Sequence, residues 1–384
     1  MASRTRRARS TERMDQLPLA NGATPRPFSL ARQSLVIVVC IIAYASLRPF
    51  DNWRDPGRYP FEYLFATPNF RAPFDVLLNI AGYIPLGLAL TLALFPRFRG
   101  AHAFAIGILL PGTFSILVEG IQTYLPGRYS SVLDVVANVA GAAIGAAIAV
   151  LVTPWLTDHR GGPRLRERWL APGRVTDVGL LVLMAWFLAL FAQRTILFGT
   201  GDLRANFGAA MDLSTPPVVY WITEIFIITA NLIVAGLVLR LVMAEGTARV
   251  RWFFILVAAA LVTRMIAQLA FWKPASAFDW ITPEALFGLV LGSILATLAL
   301  DLSRRTAALT AIALVAASLI VVNASPPDPT LWLQRGAPRE RMLVGLTLVA
   351  RYTAKGWPVA VIFFLVMAIR QAATPRARLS NPPD

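Results

Sequence analysis

Histidine, cysteine and lysine are almost missing from this chain. The two histidines, His102 and His159, are too few for a multi-histidine metal site. The one cysteine, Cys40, lies inside an apolar run and has no partner for an internal disulfide. The only lysines, Lys273 and Lys355, are not preceded by glycine or followed by serine or threonine, which excludes a Walker-type phosphate loop. Charge is scarce too. Asp, Glu, Lys and Arg make up 15% of the 384 residues, against about 25% in a soluble domain. Neither a metal site nor a cofactor motif is expected.

What the chain has instead is apolar length. Apolar residues make up 57% of it, mean hydropathy is +0.61, and the apolar runs recur at lengths near the ~18 residues that mark a membrane-spanning helix. The expected fold is an all-α polytopic membrane protein, in contact with membrane lipids. The net charge of +15 is carried by arginines in loops and tails. That distribution fits membrane topology better than the continuous basic face a nucleic-acid partner requires.

Residues 1–33 read as a disordered basic tail and 35–47 as the first apolar run. Ala43-Tyr44-Ala45 resembles a signal-peptide cleavage site, but the long leader favours an uncleaved anchor. Further helices are expected at 74–95, 102–124 and 133–156, then at 177–198, 218–243, 251–272, 284–300 and 306–323. A last span is expected at 353–370, after an interfacial segment. That makes ten helices, with eight or nine as alternatives. The units are 34–156, a basic loop at 157–176, added helices at 177–372 and a tail at 373–384. Arginine bias in the loops places the N-terminal tail in the cytoplasm.

Three of these helices carry acids and amides at helical spacing. Asp75 and Asn79 are four apart, Glu119 and Gln122 three apart, and Asp134 and Asn138 four apart. Such pairs share a helix face. In the expected topology all three pairs lie at the extracytoplasmic end, with Arg128 and Ser130 in the link above them. Arg128 is an obvious partner for Glu119 or Asp134. Helix capping would account for Asp75 and Asp134. The deeper Asn79, Glu119, Gln122 and Asn138 need polar partners, whether in an interhelical network or a ligand pocket. Gly82, Pro85, Gly87, Gly141 and Gly145 are expected to serve helix packing, Gly141 and Gly145 as a small-xxx-small face.

At these residues the chain resembles the VanZ-like family of bacterial membrane proteins. The matching elements are Asp75, Asn79, the segment Gly82-Tyr83-Ile84-Pro85-Leu86-Gly87, Glu119 with Gln122, Arg128, Ser130, and Asp134 with Asn138, Gly141 and Gly145. Their order, spacing and membrane placement carry the resemblance, which covers about residues 34–156. It implies an envelope role connected with glycopeptide or teicoplanin tolerance, without supplying a reaction. Family members are often only this four- or five-helix unit, so the later helices are a departure.

The leading expectation is an outer-leaflet polar pocket formed by Asp75, Asn79, Glu119, Gln122, Arg128, Ser130, Asp134 and Asn138. It would bind a lipid-linked or glycan-containing ligand, such as a cell-wall precursor or a glycopeptide. Arg128 would take an anionic group. The alternatives are a membrane enzyme using Glu119 or Asp134 as general acid or base, a transporter or flippase, and a scaffold for envelope machinery. Residues 218–300 also suggest a diverged repeat of 74–150, four helices plus four. In that reading Asn231 and Gly236 answer Asn79 and Gly87, Arg264 and Gln268 answer Glu119 and Gln122, and Gly288 and Gly292 answer Gly141 and Gly145. Glu224 and Arg264 lie at similar expected depth and would form a pair.

Overall fold

The computed structural model describes residues 29–47, 50, 52–55, 57, 59–65, 73–125, 128–157, 162–192, 195–207, 214–271, 278, 280–327, 329 and 341–373. Of the expected tails at 1–33 and 373–384, residues 1–28 and 374–384 lie outside them, while 29–33 begin the first helix and 373 ends the last. Arg160, Lys273 and Asp279 also lie outside them. The described residues contain eleven α-helices and no strand. Eight helices are long and apolar enough to cross a membrane, and the protein is a multi-pass helical membrane protein.

The first four helices are α1 (Ser29–Leu47), α2 (Pro73–Leu94), α3 (Gly100–Gln122) and α4 (Val132–Thr157). They form a bundle in which α2 packs on α4 and α3 on both. Lipid offers no hydrophobic drive between helices, so close backbone approach has to hold them together. A Cβ added to Gly141 would lie 2.1 Å from the Ile80 carbonyl oxygen, and one on Gly145 would lie 2.1 Å from that of Ile84. Gly87 meets the Ala142 carbonyl in the same way, at 2.2 Å. The two backbones therefore touch along three successive turns. Gly82 and Pro85 are different. Both face outward, and nothing lies within 4 Å of a Cβ built on Gly82. The α2–α4 seam runs through Gly87, one turn further along.

A short helix, α5 (Gly162–Trp169), leads to α6 (Arg174–Ala189), α7 (Pro217–Val242), α8 (Arg249–Phe271), α9 (Pro283–Ala299), α10 (Arg304–Ala324) and α11 (Arg341–Ala373). Helix α7 is the axis of this half and is buried on nearly all sides among α6, α9, α10 and α11.

Two expectations are corrected. The expected span at 177–198 stops at Ala189, because the chain bends there and the side chain of Arg264 takes the carbonyls of Leu190, Ala192 and Thr195. The interfacial break before 353 is absent. Helix α11 runs unbroken through Gly356-Trp357-Pro358, with Trp357 buried and its indole N–H donating to the Val182 carbonyl at 2.9 Å.

The α7–α9 contact resembles the α2–α4 contact. A Cβ on Gly288 would lie 3.2 Å from the Ile225 carbonyl oxygen and one on Gly292 3.0 Å from the Thr229 Cα. The residue that reaches across to the start of the partner helix is Asn79 in α2, which meets Asp134. In α7 it is Glu224, which accepts from Thr282 at 3.2 Å. Asn231, expected to answer Asn79, instead joins Thr200 and Ser318. Glu224 thus holds the place expected for Asn231.

Candidate functional site: a polar cluster at one end of α1–α4

Because α2, α3 and α4 alternate in direction, the start of α2, the end of α3 and the start of α4 share one end of the bundle. The cluster there is built in layers.

In the deepest layer, Asn138 is 5% exposed and donates to Ser115 Oγ at 2.9 Å. Ser115 is fully buried. The side-chain carbonyl oxygen of Asn138 has no partner among the described residues. One turn nearer the end, Asn79 donates to Asp134 Oδ1 at 2.8 Å and ties α2 to α4.

Glu119, 6% exposed, organises the link between α3 and α4. Its Oε2 accepts from the Ser131 backbone N–H at 3.0 Å, and its backbone carbonyl accepts from the Ser130 hydroxyl at 2.6 Å. Ser131 Oγ in turn accepts from the Leu133 N–H at 3.2 Å and satisfies one donor where α4 begins. A carboxylate at the start of a helix is also favoured by the helix dipole.

The outer layer reaches α1. Gln122 donates to the Ser46 carbonyl at 2.8 Å, and Arg128 to the Ala45 carbonyl at 3.2 Å. The guanidinium therefore satisfies the unpaired carbonyl end of α1, where a cation is favoured. Asp75 lies half-buried in the first turn of α2 and makes no side-chain bond among the described residues.

The loop at 50–65 closes over the end of α3. Tyr63 donates its hydroxyl to the Ile116 carbonyl at 3.0 Å, Phe61 lies against Gly120, and the Arg54 N–H donates to the Tyr124 carbonyl at 3.0 Å. Burial, and after it the negative charge of Glu119, pushes the Tyr63 hydroxyl up to about 12.

The structure therefore brings Asn79, Glu119, Gln122, Arg128, Ser130, Asp134 and Asn138 to one end and leaves Asp75 at its margin. Sequence reasoning missed Ser115, Tyr63 and the α1 carbonyls. Ser115 was findable, since it stands four and seven residues before Glu119 and Gln122, on their helix face. Tyr63 carried no such signal, because an irregular loop has no periodicity to read. No group of three or more His, Cys, Asp or Glu among the described residues is arranged to hold a metal.

Residues 25–153, about a third of the chain, match the family model described as VanZ/LLP1. No curated protein and no solved structure gives a match.

Proposed function

With a VanZ-like domain at residues 25–153 as the premise, we propose that this multi-pass protein serves the bacterial envelope from the plasma membrane. Its polar end faces outward and binds the polar part of a lipid-linked or glycan-containing ligand, and so affects tolerance to glycopeptides or other envelope antibiotics. The observation behind this reading is the Asn138 side-chain oxygen, a buried acceptor without a partner among the described residues. Such a group costs about 1–3 kcal/mol unless a donor reaches it, and a sugar or headgroup hydroxyl is a suitable donor. Arg128 supplies positive charge above it and Asp134 negative charge beside it.

A second reading has its own observation. Gln122, Arg128 and Ser130 all donate to backbone carbonyls, as expected of a lock that fastens α1, α3 and the α3–α4 link. The two readings separate in a deletion strain complemented with Glu119→Gln, Gln122→Ala, Arg128→Gln, Asp134→Asn or Asn138→Ala at matched membrane levels. Loss of antibiotic tolerance in well-expressed Asn138→Ala and Arg128→Gln supports ligand binding. Wild-type tolerance from every well-expressed variant overturns it.

A further inference from the structure

The opposite end of the molecule carries a second cluster, outside the VanZ-like domain. Arg240 lies near the end of α7, while Arg249 and Arg304 are the first residues of α8 and α10. Arg240 is 6% exposed, and its Nε and Nη1 are buried without a hydrogen-bond partner among the described residues. The Nε of Arg249 is in the same condition. Arg304 donates to the Leu241 carbonyl, which sets it next to Arg240.

Helix-end electrostatics explains only part of this. A cation near the end of α7 is favoured by the helix dipole, but cations at the starts of α8 and α10 oppose it. Neither of those helices has an acid in its first turn. The groups acting electrostatically on Arg240 are Arg249, Arg304 and the exposed Glu245 and Asp301. Three cations against two carboxylates leave the site net positive, with buried donors unsatisfied.

We propose that Arg240, Arg249 and Arg304 form a binding site for a phosphate group, supplied by the headgroup of an anionic lipid or by a soluble phosphate. Phosphate matches the guanidinium fork geometrically and offers several acceptor oxygens at once. It would neutralise the excess charge and satisfy Arg240 and Arg249. The starts of two helices add their own positive ends to the same place. Basic pockets between helices at the membrane surface are suited to such headgroups.

The test is thermal unfolding of the purified full chain in neutral detergent, titrated with phosphatidylglycerol, phosphatidylcholine or inorganic phosphate. Stabilisation by phosphatidylglycerol beyond that by phosphatidylcholine supports a lipid source, and saturable stabilisation by inorganic phosphate supports a soluble one. In either case Arg249→Gln and Arg240→Gln should weaken the apparent affinity about tenfold or more. Arg249 is only half-buried, so its variant keeps the test valid if Arg240→Gln unfolds. Equal response to both lipids with none to phosphate overturns the proposal. So does a response left intact in both variants.

Discussion

At the scale of single residues, the glycines give the sharpest expectations. Gly141→Ala and Gly145→Ala each drive a methyl group into a carbonyl oxygen 2.1 Å away, and backbone cannot turn aside as a side chain can. Each substitution should cost about 1–3 kcal/mol, read as earlier unfolding in mixed micelles. Gly82→Ala meets open space and should be neutral or gain up to about 1 kcal/mol from helix propensity. Equal effects at all three positions would contradict the seam described above. The polar pair offers a second expectation. A double-mutant cycle with Asn79→Leu and Asp134→Leu should give a coupling of about 0.5–1.5 kcal/mol, and a coupling near zero would mean the bond is not formed in the membrane.

Sequence spacing made most of this scale legible. Residues three or four apart on a helix share a face whatever the tertiary structure, so Asp134 and Asn138 could be paired from spacing, and the alternating direction of the helices put Asn79 at the same end. Partners supplied by backbone were not legible, because every residue has a carbonyl and no residue type marks the ones left open. The α1 carbonyls that take Gln122 and Arg128 belong to that class.

At the scale of elements, the loop over α3 is where sequence told least and structure adds most. It is anchored through Tyr63, whose raised pKa carries a pH signature. The group titrates at about 12 in the folded protein and near 10 when exposed. Its contribution to stability is therefore complete below pH 10 and is lost as pH rises through 12. Tyr63→Phe should remove one tyrosine's share of the absorbance change near pH 12 from a tyrosinate titration and loosen the loop toward protease. An unchanged titration would contradict the buried placement. The two helices that departed from expectation, α6 and α11, have a common cause. Hydropathy reports where a chain can be apolar, not where it bends. Arg264 ends α6 from another helix, and the burial of Trp357 carries α11 through a proline that sequence alone reads as a stop.

At the scale of the whole molecule, the polar cluster and the arginine cluster lie at opposite ends, and the proposed function requires the first to face outside. Cys40 makes this easy to check. With Cys40→Ala as a cysteine-free background, Tyr129→Cys should react with an impermeant maleimide added to intact cells, whereas Arg305→Cys should react only after the membrane is opened. The reverse pattern would invert the topology and put the polar cluster inside. The likeness of the α7–α9 seam to the α2–α4 seam suggests that the second half reuses the packing of the first with different polar partners. Asn231, for example, bonds Thr200, Ser318 and the Ile227 carbonyl. Two side-chain amides among the described residues hold a buried oxygen without a partner, Gln268 in the second half and Asn138 in the first, and of these it is Asn138 that lies in the polar cluster.

The central claim is that this acceptor belongs to a ligand site, and the most direct measurement is binding of a lipid-linked glycan precursor to the purified protein in nanodiscs. The account predicts saturable binding to the wild type, weakened about tenfold or more by Asn138→Ala with the fold retained. No saturable binding, or equal binding by wild type and Asn138→Ala, would contradict it.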